Sequence, residues 1–438
     1  VVKSIPKYEK VFMQTQKRTI YSWALYDWAN SAYATTVIAG FFPLFFKAYY
    51  SAEADVTLST AYLGFANSIS SFIIVLIAPL LGAIADANSL KKRFLFIFSY
   101  LGILMSAAMS LVGHGEWQIA VFIYVLGNIG FMGSNTFYDA LLQSVSTKKN
   151  VDLISGLGYA LGYLGGGILF SVNVWMLQDF AFFGFNSEAE AIKVSFVSVA
   201  IWWALFSLPL LLFIKEEQKS EKKSAFALRD GYVRLKNTFL KVRELKHLTL
   251  FLAAYWLYID GVDTIIQMAV DYGMALGFDP KNLILALLIV QFVGFPATLI
   301  LTRLAQSWNT KKMIYICISV YLLIVIWATT MREVSEFYIL AIMIAIVQGS
   351  IQALSRSYYS KMIPKECSAE FFGFYNFIGK FAAILGPLLV AVVALFTQNS
   401  RLAIASISLL FLLGAILLFF VDETKGEKEL SNALSDLV

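Results

Sequence analysis

Charge is scarce in this 438-residue chain: only 14% of its residues are Asp, Glu, Lys or Arg, against about 25% in ordinary soluble domains. With 59% hydrophobic residues, that deficit excludes a free-standing soluble domain and puts a lipid-embedded chain first. Cysteine is nearly absent. Cys317, inside an apolar run, and Cys367, in a polar connection, cannot supply a disulfide framework. Histidine is equally rare: His114 and His247 both fall in connections. A membrane-embedded imidazole relay is therefore excluded, and any proton carrier must be a carboxylate. No Asn-x-Ser/Thr sequon points to a glycosylated surface. Metal-ligand spacing, a phosphate-binding glycine loop and a nucleophile motif are all missing. The expectation is no enzyme, no metal and no cofactor, and any transport would run without ATP. The glycines of GLGYALGYLGGG, Gly156 to Gly167, recur at helix-packing spacing instead.

What is present is length in apolar runs. Mean hydropathy is +0.71, and a bilayer core about 30 Å thick needs about twenty helical residues. Runs of that kind begin near Ile20, Thr57, Phe94, Glu116, Leu153 and Ala191, then near Leu250, Leu283, Lys312, Phe337, Phe371 and Arg401. They predict an all-α membrane protein of twelve transmembrane helices. Short connections favour antiparallel neighbours. A polar stretch, Lys215 to His247, divides an N-terminal six-helix bundle (residues 1–214) from a C-terminal one with a short tail (248–438).

Basic residues set the orientation. Lys47, Lys193, Lys281, Arg332 and Arg401 fall on one side and Lys380 inside the membrane; the rest of the 34 fall on the side of both termini, which is therefore read as cytoplasmic. The start of the chain is polar and basic without a cleavage pattern, so the first apolar run would direct insertion. The net charge of +5 is thus read as facing anionic lipid, not nucleic acid. In the linker (215–247), Leu228, Tyr232, Leu235, Phe239 and Val242 recur at helical spacing among basic residues. That fits an interfacial amphipathic helix, and equally a solvated linker.

Against this background, an acidic stripe in the seventh run stands out. Trp256, Asp260, Asp263, Gln267 and Asp271 share one helix face. A carboxylate at the bilayer centre costs roughly 2.5–3.5 kcal/mol, so these imply a wet cavity or buried partners. Lys380 and Asp260 both reach roughly 15 Å deep, which allows an ion pair that is either a structural staple or a coupling device. In the first run Asp27, Asn30 and Ser31 share a face; in the fourth, Tyr124, Asn128, Asn135 and Asp139; in the tenth, Gln348, Gln352, Arg356 and Tyr359. Asp139 and Arg356 lie near the cytoplasmic end and fit an inner gate or structural salt bridges. Asp271 is nearer the outer edge and carries less weight.

A repeat relates the halves. WALYD at Trp23 resembles WLYID at Trp256, Gly156 and Gly162 match Gly373 and Gly379 at one constant offset, and that offset sets Asp139 opposite Arg356. Lys91-Lys92 and Lys311-Lys312 occupy the same place in each half.

The second run ends GAIADANSLKKR, with Gly82, Asp86 and Lys91-Lys92-Arg93. This resembles the loop signature of the major facilitator superfamily, with Ala87 and Ser89 departing from it. YDWANSAY (Tyr26 to Tyr33), DGVDTI (Asp260 to Ile265), QALSRS (Gln352 to Ser357) and FFGFYNFIGKFAAILGP (Phe371 to Pro387) resemble the vacuole-effluxer-like branch, related to fungal autophagy-linked vacuolar amino-acid exporters. The resemblance implies a twelve-helix facilitator fold and efflux of amino acids, in a bacterial-type member of an inner membrane.

The residues and the resemblance together predict a secondary transporter of a small polar solute, by alternating access and with possible proton coupling. Asp27, Asn30, Asn135, Trp256, Asp260, Asp263, Gln267, Gln352 and Lys380 are the candidates for substrate or proton binding; Asp86, Arg93, Asp139 and Arg356 are the candidates for gating. The alternatives are an exporter of organic cations or drugs and, in another class, a non-transporting receptor or scaffold on the same fold.

Overall fold

The computed structural model describes the backbone of residues 7–53, 56–216 and 245–435. Within these, the side chains of 7–15, 56–57, 60–61, 270–271, 274–275, 280, 380–384, 400 and 430–435 are not described. Among the described residues every regular element is helical. Helix α1 (Lys7–Ala32) runs on through wide turns at Tyr33–Phe41 and Phe46–Tyr50, joined by Phe42–Phe45. Pro43 lies in that joint; it has no N–H to return to the preceding turn, so the backbone widens around it.

There follow α2 (Val56–Asn88), α3 (Lys91–Ala108), α4 (Trp117–Val145), α5 (Val151–Gln178), α6 (Glu188–Phe213), α7 (Lys246–Ala275), α8 (Pro280–Trp308), α9 (Thr310–Ala328), α10 (Val334–Lys361) and α11 (Ser368–Thr397). Helix α12 is broken at Ser406 into Ser400–Ala405 and Ile407–Phe419, and α13 (Glu423–Ser435) closes the described chain. Eleven helices among the described residues are long and apolar enough to cross a membrane. The remaining expected span, α11, is a continuous helix of 30 residues, of which Leu385–Thr397 counts as a shorter apolar stretch. Phe65, Phe72, Leu104, Phe122 and Leu212 are exposed, as lipid-facing side chains should be. The amphipathic pattern from Leu228 to Val242 lies outside the described residues.

Helix α1 packs on α5 and α6, α3 on α4 and α6, and α2 on α4. Six helices later the pattern returns: α7 on α11 and α12, α9 on α10 and α12, α8 on α10. Between these two sets, α5 meets α8 and α10, just as α11 meets α2 and α4. Glycines permit the close crossings. A Cβ on Gly156 would collide with Thr302 of α8, and one on its repeat partner Gly373 with Pro79 of α2. Gly162 admits Ser31 of α1, and its partner Gly379 admits Tyr255 of α7.

That last register corrects one reading of the sequence. If Ser31 answers to Tyr255, Asp27 falls opposite Phe251 and not opposite Asp260. The resemblance of WALYD to WLYID does not reflect equivalent places in the fold.

Candidate gate and substrate pathway

Arg356 organises the buried charge. It lies near the C-terminal end of α10 and is 2% exposed. Its Nη1 donates to Asp139 Oδ1 of α4 at 2.9 Å, and its Nη2 lies 3.7 Å from Asp27 Oδ2 of α1. Its Nε and Nη2 donate to Ser155 Oγ (3.0 Å) and Ser155 O (2.9 Å) of α5. The guanidinium also sits 4.4 Å from the Tyr159 ring and 5.0 Å from that of Trp23. A planar, weakly hydrated cation suits such an aromatic enclosure. Tyr138 donates its hydroxyl to Asp27 Oδ2 at 2.9 Å, and Asn376 of α11 donates to Asp139 Oδ2 at 3.2 Å. Side chains of α1, α4 and α5 thus converge on one guanidinium from α10, with α11 bonded to its Asp139 partner.

The pairing of Asp139 with Arg356 spans 217 positions, and Gln143 donates to Ser360 O across the same 217. Residues that meet their own repeat equivalents lie beside the axis relating the halves, as in any isologous contact. The sequence separated Asp27, as a substrate group, from Asp139 and Arg356, as a gate. The structure brings all three together.

Further bonds close this end of the bundle. Asp152 of α5 pairs with Lys361 of α10 at 2.9 Å and accepts from Thr310 at 2.9 Å. Asp86 pairs with Lys91 at 2.9 Å and accepts from the Glu370 N–H at the start of α11 (2.8 Å). Lys91 Nζ donates to Ser368 at 2.7 Å. Arg93, expected to gate, is exposed; Lys91 makes those contacts instead, because the first residue of α3 faces α11. Glu216, following α6, accepts from the N–H groups of Lys91 (2.9 Å) and Lys92 (3.2 Å). Burial raises its pKa, and those bonds oppose the shift. These bonds, with Ser155 to Ala353 O, Gln306 to Lys149 O and the Lys148–Glu427 ion pair, join α1–α6 to α7–α13 toward this termini-bearing end.

Farther from that end the remaining candidates spread out. Asn30 donates to Asn135, joining α1 and α4. Asp260 is fully buried; its Oδ1 accepts from Gly386 N of α11 at 3.0 Å, while its Oδ2 has no hydrogen bond. Asp263 and Trp256 are half-buried, Gln352 likewise, and Gln267 is exposed. Asp263 is within electrostatic reach of Tyr159 and Tyr321. The side chains of Lys380 and Asp271 lie outside the described residues, so the proposed pairing with Asp260 does too. A cavity of about 150 Å³ opens among α7–α10 and α12, walled by Ile265, Tyr272, Leu283 and Phe337, with Gln291 and Gln348 also at its lining. None of the sequence candidates lines it.

Comparison with known proteins places this geometry. Among solved structures, the human organic anion transporter MFSD10 (TETRAN) superposes with a TM-score of 0.71 at 13% identity, covering 92% of this chain and 99% of that one. The major facilitator superfamily proton:xylose symporter XylE gives 0.68 at 15% identity, covering 96% and 98%. The fold is that of a major facilitator superfamily transporter. A family model described as "Vacuole effluxer Atg22 like" matches residues 54–147 and 143–431. The MFS-type transporter YxiO of Bacillus subtilis (strain 168) is 40% identical over 426 residues, covering 95% of this chain and 97% of the relative. Autophagy-related protein 22 of Vanderwaltozyma polyspora is 23% identical over 508 residues, covering 96% and 94%. The chain belongs to the vacuole effluxer Atg22-like family. It is a multi-pass membrane protein of a transporter class.

Proposed function

We propose that this protein is a secondary transporter that exports amino acids or related zwitterions by alternating access, coupled to protons. The observation that carries the reading is the cluster of polar bonds that joins α1–α6 to α7–α13 at the termini-bearing end. A rocking transporter needs a latch that closes one mouth and releases it in the other state. The Arg356, Lys361 and Lys91 contacts supply such a latch between residues 1–214 and 248–438, the two bundles of the proposal. The excess of basic residues on the termini side supports a cytoplasmic placement there, against anionic lipid of a bacterial inner membrane.

The substrate is assigned to the space beyond the latch. Asn30, Asn135, Gln352 and Trp256 would offer hydrogen bonds and a ring face, Asp263 a partner for an ammonium group, and Lys380 one for a carboxylate. The name of the fungal relatives, autophagy-related protein 22, and the family description as vacuole effluxers favour efflux. The test is counterflow in proteoliposomes with radiolabelled amino acids, with organic cations as the competing class. Trans-stimulated amino-acid flux is expected. If no solute that thermally stabilises the purified protein is moved, the transport reading fails.

A further inference from the structure

The two lysine pairs that the repeat sets in equivalent places do unequal work. In the first half both lysines are engaged. Lys91 Nζ meets Asp86 at 2.9 Å and Ser368 at 2.7 Å, and Lys92 Nζ donates to Ile214 O at the end of α6 (2.6 Å). In the second half Lys311 Nζ takes the carbonyls at the end of α12, Phe419 O at 3.0 Å and Val421 O at 2.6 Å. Lys312 is left over: it is exposed, and among the described residues no group is bonded to its ammonium. With Ser307, Trp308, Tyr315 and Ile316 it lines an open hollow of about 600 Å³ where α8 ends and α9 begins. That volume lies in the range of small-molecule sites, about 300–1,000 Å³. Among the described residues no acidic side chain lines it. We propose that this hollow binds the headgroup of an anionic phospholipid, with its phosphate on Lys312. The inference rests on the placement of the termini side against anionic lipid given above.

Two observations select a lipid over a soluble anion. The N–H groups that open α9 are already spent, since Asn309 Oδ1 accepts from Lys311 N at 2.9 Å and from Lys312 N at 3.4 Å. The helix start therefore offers no backbone cradle for a free phosphate. Ser307 spends its hydroxyl proton on Leu304 O (3.0 Å), so the charge recognition falls to Lys312. The hollow also continues into an apolar track. Lys312, Ile316, Leu323 and Ile326 share one face of α9, and all four are exposed. That stripe runs about 20 Å along the helix, a length that an acyl chain can follow while its headgroup stays on the ammonium. Trp308 is 57% exposed, at the level where indole rings settle between headgroups and chains. Tyr315 forms a fixed wall, its hydroxyl donating to Ala415 O at 3.0 Å.

The test places the full chain in phosphatidylcholine bilayers with a fixed minor fraction of brominated lipid, either phosphatidylglycerol or phosphatidylcholine. The quenching of Trp308 is the difference between the wild type and Trp308→Phe, an exposed position whose replacement leaves the fold intact. One lysine near the surface favours an anionic lipid about fivefold. Brominated phosphatidylglycerol should therefore quench Trp308 about fivefold more effectively than brominated phosphatidylcholine at equal mole fraction. Lys312→Gln should abolish that preference, whereas replacing another exposed lysine of the same end, Lys365→Gln, should preserve it. Equal quenching by the two lipids, or a preference that survives Lys312→Gln, would overturn the proposal. Loss of the preference in both lysine variants would overturn it too, by reducing the effect to general surface charge. So would relief of the quenching by inorganic phosphate, which would make the hollow a site for a soluble anion. No flux is measured and the lipid is present in both leaflets, so failure here leaves the transport and orientation readings standing, and their failure leaves this site.

Discussion

Asp152 illustrates what a buried carboxylate needs at the termini-bearing end. It is 4% exposed and holds Lys361 Nζ and Thr310 Oγ1 at 2.9 Å each, with Ser357 donating as well. Removing one partner of such a pair leaves the other charge buried and costs about 3–5 kcal/mol, whereas replacing both by apolar groups is often neutral. Asp152→Ala should therefore lower thermal stability in detergent by an amount of that order, and Asp152→Ala/Lys361→Met should recover most of it. A double variant as unstable as the single one would refute the buried-charge account. Nothing in the sequence marks Asp152, because an acidic residue in a first helical turn is ordinarily just a partner of the helix dipole. Asp139 and Arg356 are legible, since both lie on polar stripes and the repeat relates them. Tyr138 and Tyr159 are not, since an aromatic residue in an apolar run reads as packing until the cation beside it is seen. The choice of Lys91 over Arg93 likewise depends on which way a helix start faces, which composition does not encode.

Among the elements, the apolar runs predicted from hydropathy correspond to helices α1 to α12, because a run of the right length has no other way to satisfy its backbone in lipid. The wide turns of α1 and the break at Ser406 escape that reasoning. The connection from α2 to α3 shows where sequence and backbone disagree. Ser89 stands where the facilitator signature has a glycine, and it adopts φ 53°. A left-handed residue with a Cβ costs roughly 1–2 kcal/mol, so Ser89→Gly should raise the midpoint of thermal unfolding; an unchanged or lower midpoint would show that Ser89 bears no strain. Asn309, two residues before the second lysine pair, also has positive φ (121°) and accepts from the N–H of Lys311. The tail helix α13 adds a pH-dependent contact. Burial raises the pKa of Glu423, against the opposing pull of Lys361. The folded chain then binds that proton more tightly than the unfolded one. Its contribution to stability is present below the ordinary glutamate range and is lost as pH rises through the raised value. Glu423→Gln should match the wild type near pH 4 and exceed it at pH 7, with a difference in melting midpoint that grows between the two. A pH-independent difference would remove Glu423 as the cause.

For the molecule as a whole, the repeat is readable in the sequence and returns as the same helix packing six helices later, and basic-residue asymmetry predicts an orientation. Which end of the helix set is bonded shut is not readable, because under the proposed alternating access the same residues would serve both states and only their distances would differ. The termini-bearing end, the closed mouth of the proposal, is held in part where α2 and α3 meet α11: Lys91 bonds Asp86 and Ser368, and Asp86 holds the Glu370 N–H. Cys367 is next to Ser368 and half-buried, while the other cysteine, Cys317, is fully buried in α9. The rate at which a water-soluble maleimide modifies Cys367 thus reports on opening of this mouth, with Cys317→Ser as the background. Each 1.4 kcal/mol removed from the latch shifts the open population about tenfold. A buried hydrogen bond to a charged group is worth about 1.5–3 kcal/mol, so Lys91→Met should speed modification of Cys367 by about tenfold or more. Asp260→Asn, remote from this mouth, should leave the rate where it is. Equal labelling rates in Lys91→Met and the Cys317→Ser parent would mean that these contacts stabilise the fold without holding the mouth shut.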